Sequence, residues 1–436
     1  MKHRTIFLKA FLVVSLIWVN PTVTVAAEYS LIDLARIALS RSERLKIAEE
    51  NFGIAELGKD KARSYLYPRM TATGSALRYT EQKQSSTGLI IQPDRSTSWG
   101  LRIEETLSLS GREWTALETS EQVVEKGRLD LTAIREDYLL QQVAAAYFNV
   151  LMVQKNLEIA DANLERLESH RKAAEVRLKI GEVTKVALLR AEWELSGAKS
   201  DQLQVRNGLE LALAVLANNC GINGPLSIHE ATPEPAEIPP LDTFLQEALA
   251  SRTDLKSLDV QKQIAAGQTR YAEGAFWPSL SLIGSYAGTD QTPASANINR
   301  ESIYAGISLS FPFFEGGLRK AELAEARARE RQADLYYEEL KRTIAIEVRV
   351  AYLNMVTQKG MLQFLSDQMA FSRDNYHAVA RQFEFGLSSS LDVMDANALL
   401  VSAERNWTSA LYNYQLSLLR MKKATGTLID HITKEP

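Results

Sequence analysis

The groups in this chain that could bind metal, move a proton or attack a carbon are few and scattered. The five histidines are His3, His170, His229, His377 and His431. A metal site needs ligands converging from fixed short spacings. His170 and His377 lie on long helical patterns with no such partner, so they read as ordinary surface or tip residues. Cys220 is the single cysteine, and one thiol cannot form an internal disulfide. There is no glycine-rich loop to cradle a phosphate and no strand-to-helix nucleophile elbow. The mixed charges of 319–331 read as a solvated helix face. These absences predict a protein that is not an enzyme and holds no cofactor and no metal.

The chemistry therefore has to be that of shape, and the elements carry it. Residues 1–27 read as a signal peptide: Lys2, Arg4 and Lys9, an apolar stretch from Phe11 to Val19, then Val25-Ala26-Ala27. Their removal takes three positive charges from a net −4 and leaves −7. That balance argues against a nucleic-acid binder, which needs basic surface to displace counterions. No cysteine follows the signal, so an N-terminal lipid anchor is not expected. Beyond residue 27 no apolar run reaches the length of a transmembrane helix. The mature chain is either soluble in an exported compartment or crosses a membrane as β-strands, whose signal is weaker.

The chain repeats itself. Ala146-Tyr147-Phe148-Asn149 returns as Ala351-Tyr352-Leu353-Asn354, and Gly181 returns as Gly386, both 205 positions on. Proline is absent between Asp94 and Gly224 and between Phe313 and Glu435, which permits very long helices. From Arg112 to about Ile180 the pattern reads as one helix. Its seams are Val143, Val150, Leu157 and Leu164, and Ala146, Val153, Ala160, Leu167 and Ala174; Arg171 interrupts the first. A seven-residue apolar repeat is the signature of a coiled coil. Gly181 turns the chain, and it returns through Leu188, Leu195, Leu209 and Leu216 beside Ala191, Ala198 and Ala212. Met355, Leu362 and Met369, then Val393, Leu400 and Trp407, repeat the arrangement. The expected halves are residues 28–224, with a helical hairpin over 112–218, and 241–428, with a hairpin over 317–425. A proline-rich connector spans 225–240 and a tail spans 429–436.

In front of each hairpin the period changes to two. Leu280, Leu282 and Tyr286 alternate with serines, as do Ile303, Ile307 and Leu309. Trp99, Leu101 and Ile103 alternate with Arg102 and Glu104. These predict strand pairs over 70–109 and 279–311, with aromatics (Tyr65, Tyr67, Trp99, Phe276, Trp277, Phe311, Phe313, Phe314) near their ends, as at a lipid–water boundary. Unpaired strand edges cannot sit in lipid, and four strands are too few to close a barrel. Membrane-crossing strands would have to be pooled among several chains, with Arg102 and Glu104 as charges of the barrel lumen. A soluble periplasmic coiled-coil adaptor or tether is the alternative.

The order of elements resembles the TolC family of outer-membrane efflux ducts. Tyr67-Pro68 and Trp277-Pro278 resemble the aromatic-proline step before its strands. Phe311-Pro312-Phe313-Phe314-Glu315-Gly316-Gly317 resembles its strand-to-helix junction, though Thr106 stands where the first half would match Pro312. Phe385-Gly386-Leu387 with Leu391-Asp392-Val393-Met394-Asp395-Ala396 resembles its second turn, and Ala410 to Leu428 its last helix. The resemblance implies a mainly helical chain in a homotrimer, with a 12-stranded β-barrel in outer-membrane lipid and a 12-helix tunnel in the periplasm. It implies a passive conduit of a tripartite efflux or type I secretion system, coupled to a periplasmic adaptor and an inner-membrane pump. Carboxylates near the second turn line the entrance in this family, which points to Asp392 and Asp395. Asp392 also fits a plain helix N-terminal residue favoured by the dipole. Where relatives carry a basic latch residue, this chain has Ser388; Arg190, the repeat mate of Asp395, is a candidate substitute. Gly181, Val183, Gly386 and Leu387 fall at the tips that meet the adaptor.

Overall fold

The computed structural model describes residues 28–229, 238–294 and 299–430. The signal peptide, half of the proline-rich connector and most of the C-terminal tail lie outside the described residues. In chain order the elements are β1 (Glu28–Tyr29), α1 (Leu31–Arg41), α2 (Glu43–Ser64), β2 (Arg69–Arg78), β3 (Lys83–Gln84), β4 (Ile90–Gln92), β5 (Arg95–Ser108), α3 (Arg112–Tyr138), a π-helical turn (Leu139–Ala144) and α4 (Ala145–Lys179). Then come α5 (Lys185–Cys220), β6 (Ser227–Ile228), α6 (Leu241–Ser251), α7 (Thr253–Gly274), β7 (Ser279–Thr292), β8 (Glu301–Ser310), α8 (Leu318–Glu384) and α9 (Ser390–Thr425).

The helix α8 has 67 residues without a break, which at 1.5 Å per residue is ~100 Å. Its mate in the first half is one residue longer. The left-handed N-cap glycines Gly111 and Gly317 are 206 positions apart, while the tip glycines Gly181 and Gly386 are 205 apart. The surplus residue is absorbed in the π turn at Leu139–Ala144. A single wider turn takes up one inserted residue and leaves both flanks in helical phase. The uninterrupted helix expected from Arg112 is thus continuous to Lys179 but carries this bulge.

Each long helix ends in the same hydrogen-bonded turn. Glu182 and Leu387 donate back to Arg177 O and Gln382 O, and Gly181 and Gly386 donate to Leu178 O and Phe383 O. This pair of bonds needs a residue at positive φ, which glycine supplies at 80° and 72°. The return helices α5 and α9 then pack along α4 and α8. Ala160, Leu167 and Ala174 are buried on α4, Ala191, Ala198 and Ala212 on α5, and Leu400, Ala403 and Ala410 on α9. Small alanines on one side let the backbones approach closely. The largest core lies where α1, the π turn, α4, α5 and the end of α9 meet, with Leu34, Leu139, Val143, Tyr147 and Leu216 fully buried. A second core joins α6, α8 and α9 through Ile344, Val348, Met355 and Met421.

One sheet is shared by the two halves. Its strand order is β2-β5-β7-β8, antiparallel throughout. The strands β5 and β7 have 14 residues each, longer than their alternation alone indicated, because they pair with each other across the repeat boundary. The short β3–β4 ladder in the first loop was not expected. At the other end β5 runs through Thr106 to Ser108, whereas β8 stops at Ser310 before Phe311-Pro312. The two junctions differ because β5 pairs on its far side with β7 as far as Ser108↔Ser279, whereas β8 is an edge strand with no second neighbour to extend it.

Candidate functional site

The sheet sorts most of its side chains by face, with Glu105 on the apolar side and Leu77 and Ile283 on the polar side as exceptions. Pairings Met70↔Ile103, Ala72↔Leu101, Leu101↔Tyr286 and Leu282↔Ile307 put the apolar residues on one face. Trp99 and Tyr286 meet edge to face there, 4.9 Å apart. The opposite face carries Thr71, Thr73, Ser75, Ser98, Ser281, Ser285, Ser308 and Ser310. Arg102 and Glu104 stand on this polar face and pair with each other at 3.1 Å. Both outer strands are bare: all ten residues of β2 and all ten of β8 are exposed. The aromatics beyond β8 are barer still, with Phe313 90% and Phe314 80% exposed.

At the far end of the long helices the two tips lie side by side. Leu387 is exposed beside Phe385, and Ile180 and Val186 are exposed on the first tip. Gly181 and Gly386 are solvent-facing, while Val183 is half-buried. Asp392 closes a capping box: its carboxylate accepts from Ser389 N at 2.8 Å and Ser389 Oγ at 2.8 Å, and its own N–H donates to Ser389 Oγ. The Ser389 hydroxyl and N–H hold this carboxyl below its ordinary pKa. Asp395, one turn on, is exposed, as is Arg190 on the other return helix. The structure brings Asp392 and Asp395 to one tip but does not pair Arg190 with either: among the described residues of this chain, neither Arg190 nor Asp395 forms an ion pair. The Ser388 hydroxyl donates to Val379 O at 3.1 Å, within its own tip.

What joins the two hairpins is a polar seam that the sequence reading missed. His170 is a correction to the expectation of a surface residue: it is 7% exposed. Its Nε2 lies 2.8 Å from Ser390 Oγ and its ring packs on Phe383 at 5.0 Å. Burial, with Arg177 nearby, pushes the imidazole below its ordinary pKa. Arg177 stacks on the same Phe383 at 4.3 Å and donates to Glu384 O at 2.8 Å. Further from the tip Asn397 is buried, donating to Asn163 Oδ1 at 2.7 Å and accepting from Arg166 at 2.9 Å. Arg166 also faces Glu404 at 3.6 Å, and Arg405 pairs with Asp201. The signal was present in the spacing: Asn163, His170 and Arg177 on α4, and Ser390, Asn397 and Glu404 on α9, each recur every seven residues. His377 does stay exposed.

No described helix is long and apolar enough to cross a membrane, and no cluster of metal-ligating side chains occurs among the described residues. A sheet with one apolar face, bare edges and ~100 Å rods fits a channel and offers no catalytic constellation. The model of the outer membrane efflux protein family matches residues 34–221 and 244–427. The chain belongs to that family. It is 23% identical over 387 residues to outer membrane protein TolC of Escherichia coli K12, covering 85% of this chain and 76% of that one. It is 24% identical over 301 residues to the alkaline protease secretion protein AprF of Pseudomonas aeruginosa, covering 66% and 62%. A crystal structure of CusC matches with a TM-score of 0.80 at 20% identity, over 92% of this chain and 93% of that one. The Neisseria gonorrhoeae MtrE channel in its open state matches at 0.76 and 22% identity, over 91% and 89%. As a member of that family the protein is an outer-membrane channel and a passive one, with no enzymatic chemistry of its own.

Proposed function

We propose that three copies assemble into the exit duct of a tripartite efflux or type I secretion system. The observation that carries this is the pair of bare edges on the β2-β5-β7-β8 sheet. In lipid each unpaired backbone group costs several kcal/mol, so the sheet needs neighbours on both sides. Three copies supply twelve strands, enough to close a barrel, with the apolar face toward lipid and Arg102 and Glu104 toward the lumen. The hairpins continue the barrel into the periplasm, and the tips with Gly181, Val183, Gly386 and Leu387 meet an adaptor that couples the duct to an inner-membrane pump. Relatives named for secretion and for cation efflux support a conduit whose cargo is chosen by its partners. Residues 1–27 direct export and are removed.

At the entrance Asp395 supplies a ring of carboxylates by three-fold symmetry, with mutual repulsion that cations relieve. Asp392 is committed to its helix cap and contributes less. The test of assembly is the mass of detergent-extracted protein together with conductance in planar bilayers. A trimer that conducts is expected; a non-conducting monomer removes the reading. Asp395→Ala should raise single-channel conductance or weaken block by multivalent cations, and unchanged values would take Asp395 out of the entrance.

A further inference from the structure

The repeat relates the two strand pairs residue by residue. Adding 210 to a β2 residue and 206 to a β5 residue turns Arg69↔Glu104 into Ser279↔Ser310, and Arg78↔Arg95 into Gly288↔Glu301; both are observed pairings of β7 with β8. The second hairpin is therefore the first, in the same register. The ladder between the halves, β5 with β7, then has one counterpart that a single chain cannot make: β8 with the β2 of another copy.

Applying the same offsets to β5↔β7 fixes that missing ladder. Ile103↔Gly284 becomes Leu309 opposite Gly74, Arg102↔Ser285 becomes Ser308 opposite Ser75, and Ser108↔Ser279 becomes Phe314 opposite Arg69. We infer that β8 of one copy and β2 of the next are held in this one register, with β8 lengthened to Phe314 on assembly. The inference rests on the trimeric reading above and deepens it.

Three independent observations agree with this register. The first is the direction of the backbone groups. Thr289 N–H donates to Arg300 O and Tyr79 N–H to Asp94 O. Even-numbered residues of β8 thus bond inward to β7, and odd-numbered residues of β2 bond inward to β5. Odd residues of β8 and even residues of β2 face outward, and the inferred pairs join odd to even, as Leu309 to Gly74. The second is the match of faces. Ile307, Leu309, Phe311 and Phe313 meet Ala76, Gly74, Ala72 and Met70, while Ser308 and Ser310 meet Ser75 and Thr73. A slip of one residue would put the apolar row against the polar one.

The third is steric. Within the chain Ile103 sits so close over Gly284 that an added Cβ would lie 2.8 Å from its Cγ2. Gly74 and Gly306 have nothing within 4 Å of such a Cβ, though their strands otherwise carry side chains. The inferred register covers both, setting Leu309 over Gly74 and Leu77 over Gly306. Pro312 is accommodated as well. It is an even residue whose missing donor points toward β7, which begins only at Ser279.

Paired cysteines read the register directly. Ser75→Cys with Ser308→Cys places two thiols on a directly opposed, non-hydrogen-bonded pair, with Cα atoms ~4.5 Å apart, inside disulfide reach. Ser75 and Ser308 are both exposed in the single chain, while the native Cys220 is buried and its thiol pushed up to about 11. Oxidation of the full-length protein in its membrane should give a covalent trimer, sensitive to reductant, from this pair. Thr73→Cys or Leu77→Cys with Ser308→Cys, offset by two residues and ~7–8 Å apart, should link at least tenfold less. Preferential linking by an offset pair, or no linking in protein whose detergent mass is trimeric, overturns the register and leaves the assembly standing. A monomeric mass with no linking in any pair overturns the assembly itself.

Discussion

His170 holds the two hairpins together as a neutral ring. A neutral imidazole can accept from or donate to Ser390 Oγ, and the groups around it are Phe383 and the cationic Arg177. Its pKa in the folded tip lies below the ordinary 6.5. The unfolded or separated tip therefore binds the proton first, and the contact weakens as pH falls below ~6.5. Single-channel conductance should rise as pH falls below ~6.5 in the wild type, and His170→Gln should flatten that response. A wild-type response that is already flat would show that this ring does not hold the entrance. Glu136 is the opposite case. It is buried beside Thr253, and burial raises its carboxyl to about 7 from 4.5. Folding then retains a proton that the unfolded chain loses, so its contribution to stability declines as pH rises from ~4.5 to ~7 and stays low above. Glu136→Gln should stabilise the protein by roughly 1–3 kcal/mol at pH 8 and by little at pH 4. A loss of stability at pH 8, measured by denaturant unfolding, would mean that the carboxylate is needed in charged form.

The long helices carry their own test of the duplication. The π turn at Leu139–Ala144 absorbs one extra residue, and α8 has none. Deleting the exposed Gln141 should convert that turn to plain α-helix with both flanks still in phase, so the chain should assemble and export with only a modest drop in stability. Deleting one residue of α8, such as Lys341, leaves no bulge to absorb the change. Everything on one side turns by ~100° and the buried Ile344 and Val348 leave their core. Assembly should be lost. Equal outcomes for the two deletions would refute the phase argument. At the tips, Gly386→Trp meets no clash, since nothing lies within 4 Å of an added Cβ, but φ is +72°. The change strains the turn and crowds the exposed Leu387, so export should fail while the trimer persists; full export would separate this tip from its adaptor.

The whole molecule shows which features local pattern reveals. The hairpins were legible because an apolar residue every seven, as at Ala160, Leu167 and Ala174, reports the face of a long helix whatever it packs against. The strands were legible from Leu280, Leu282 and Ile307 alternating with serines, and the tip turns from Gly181 and Gly386, whose positive φ excludes most other residues. The shared polar face of Arg102 and Glu104 followed from the same alternation. His170 was misread because a polar residue at a seam position looks solvated until the facing helix is known. Ser390, 220 residues away, supplies the partner. The π turn escaped because one inserted residue changes the repeat offset only from 206 to 205.

From sequence alone came the duplicated unit, its periods and its turns, since these depend on residues within a few turns of each other. The tertiary structure decided what those units touch. It placed β5 against β7 so that two hairpins became one sheet, set α9 on α4 through a polar seam, and left β2 and β8 without neighbours. Such choices are made by groups far apart in the chain, where backbone donors and buried polar atoms must find partners that no local spacing can name.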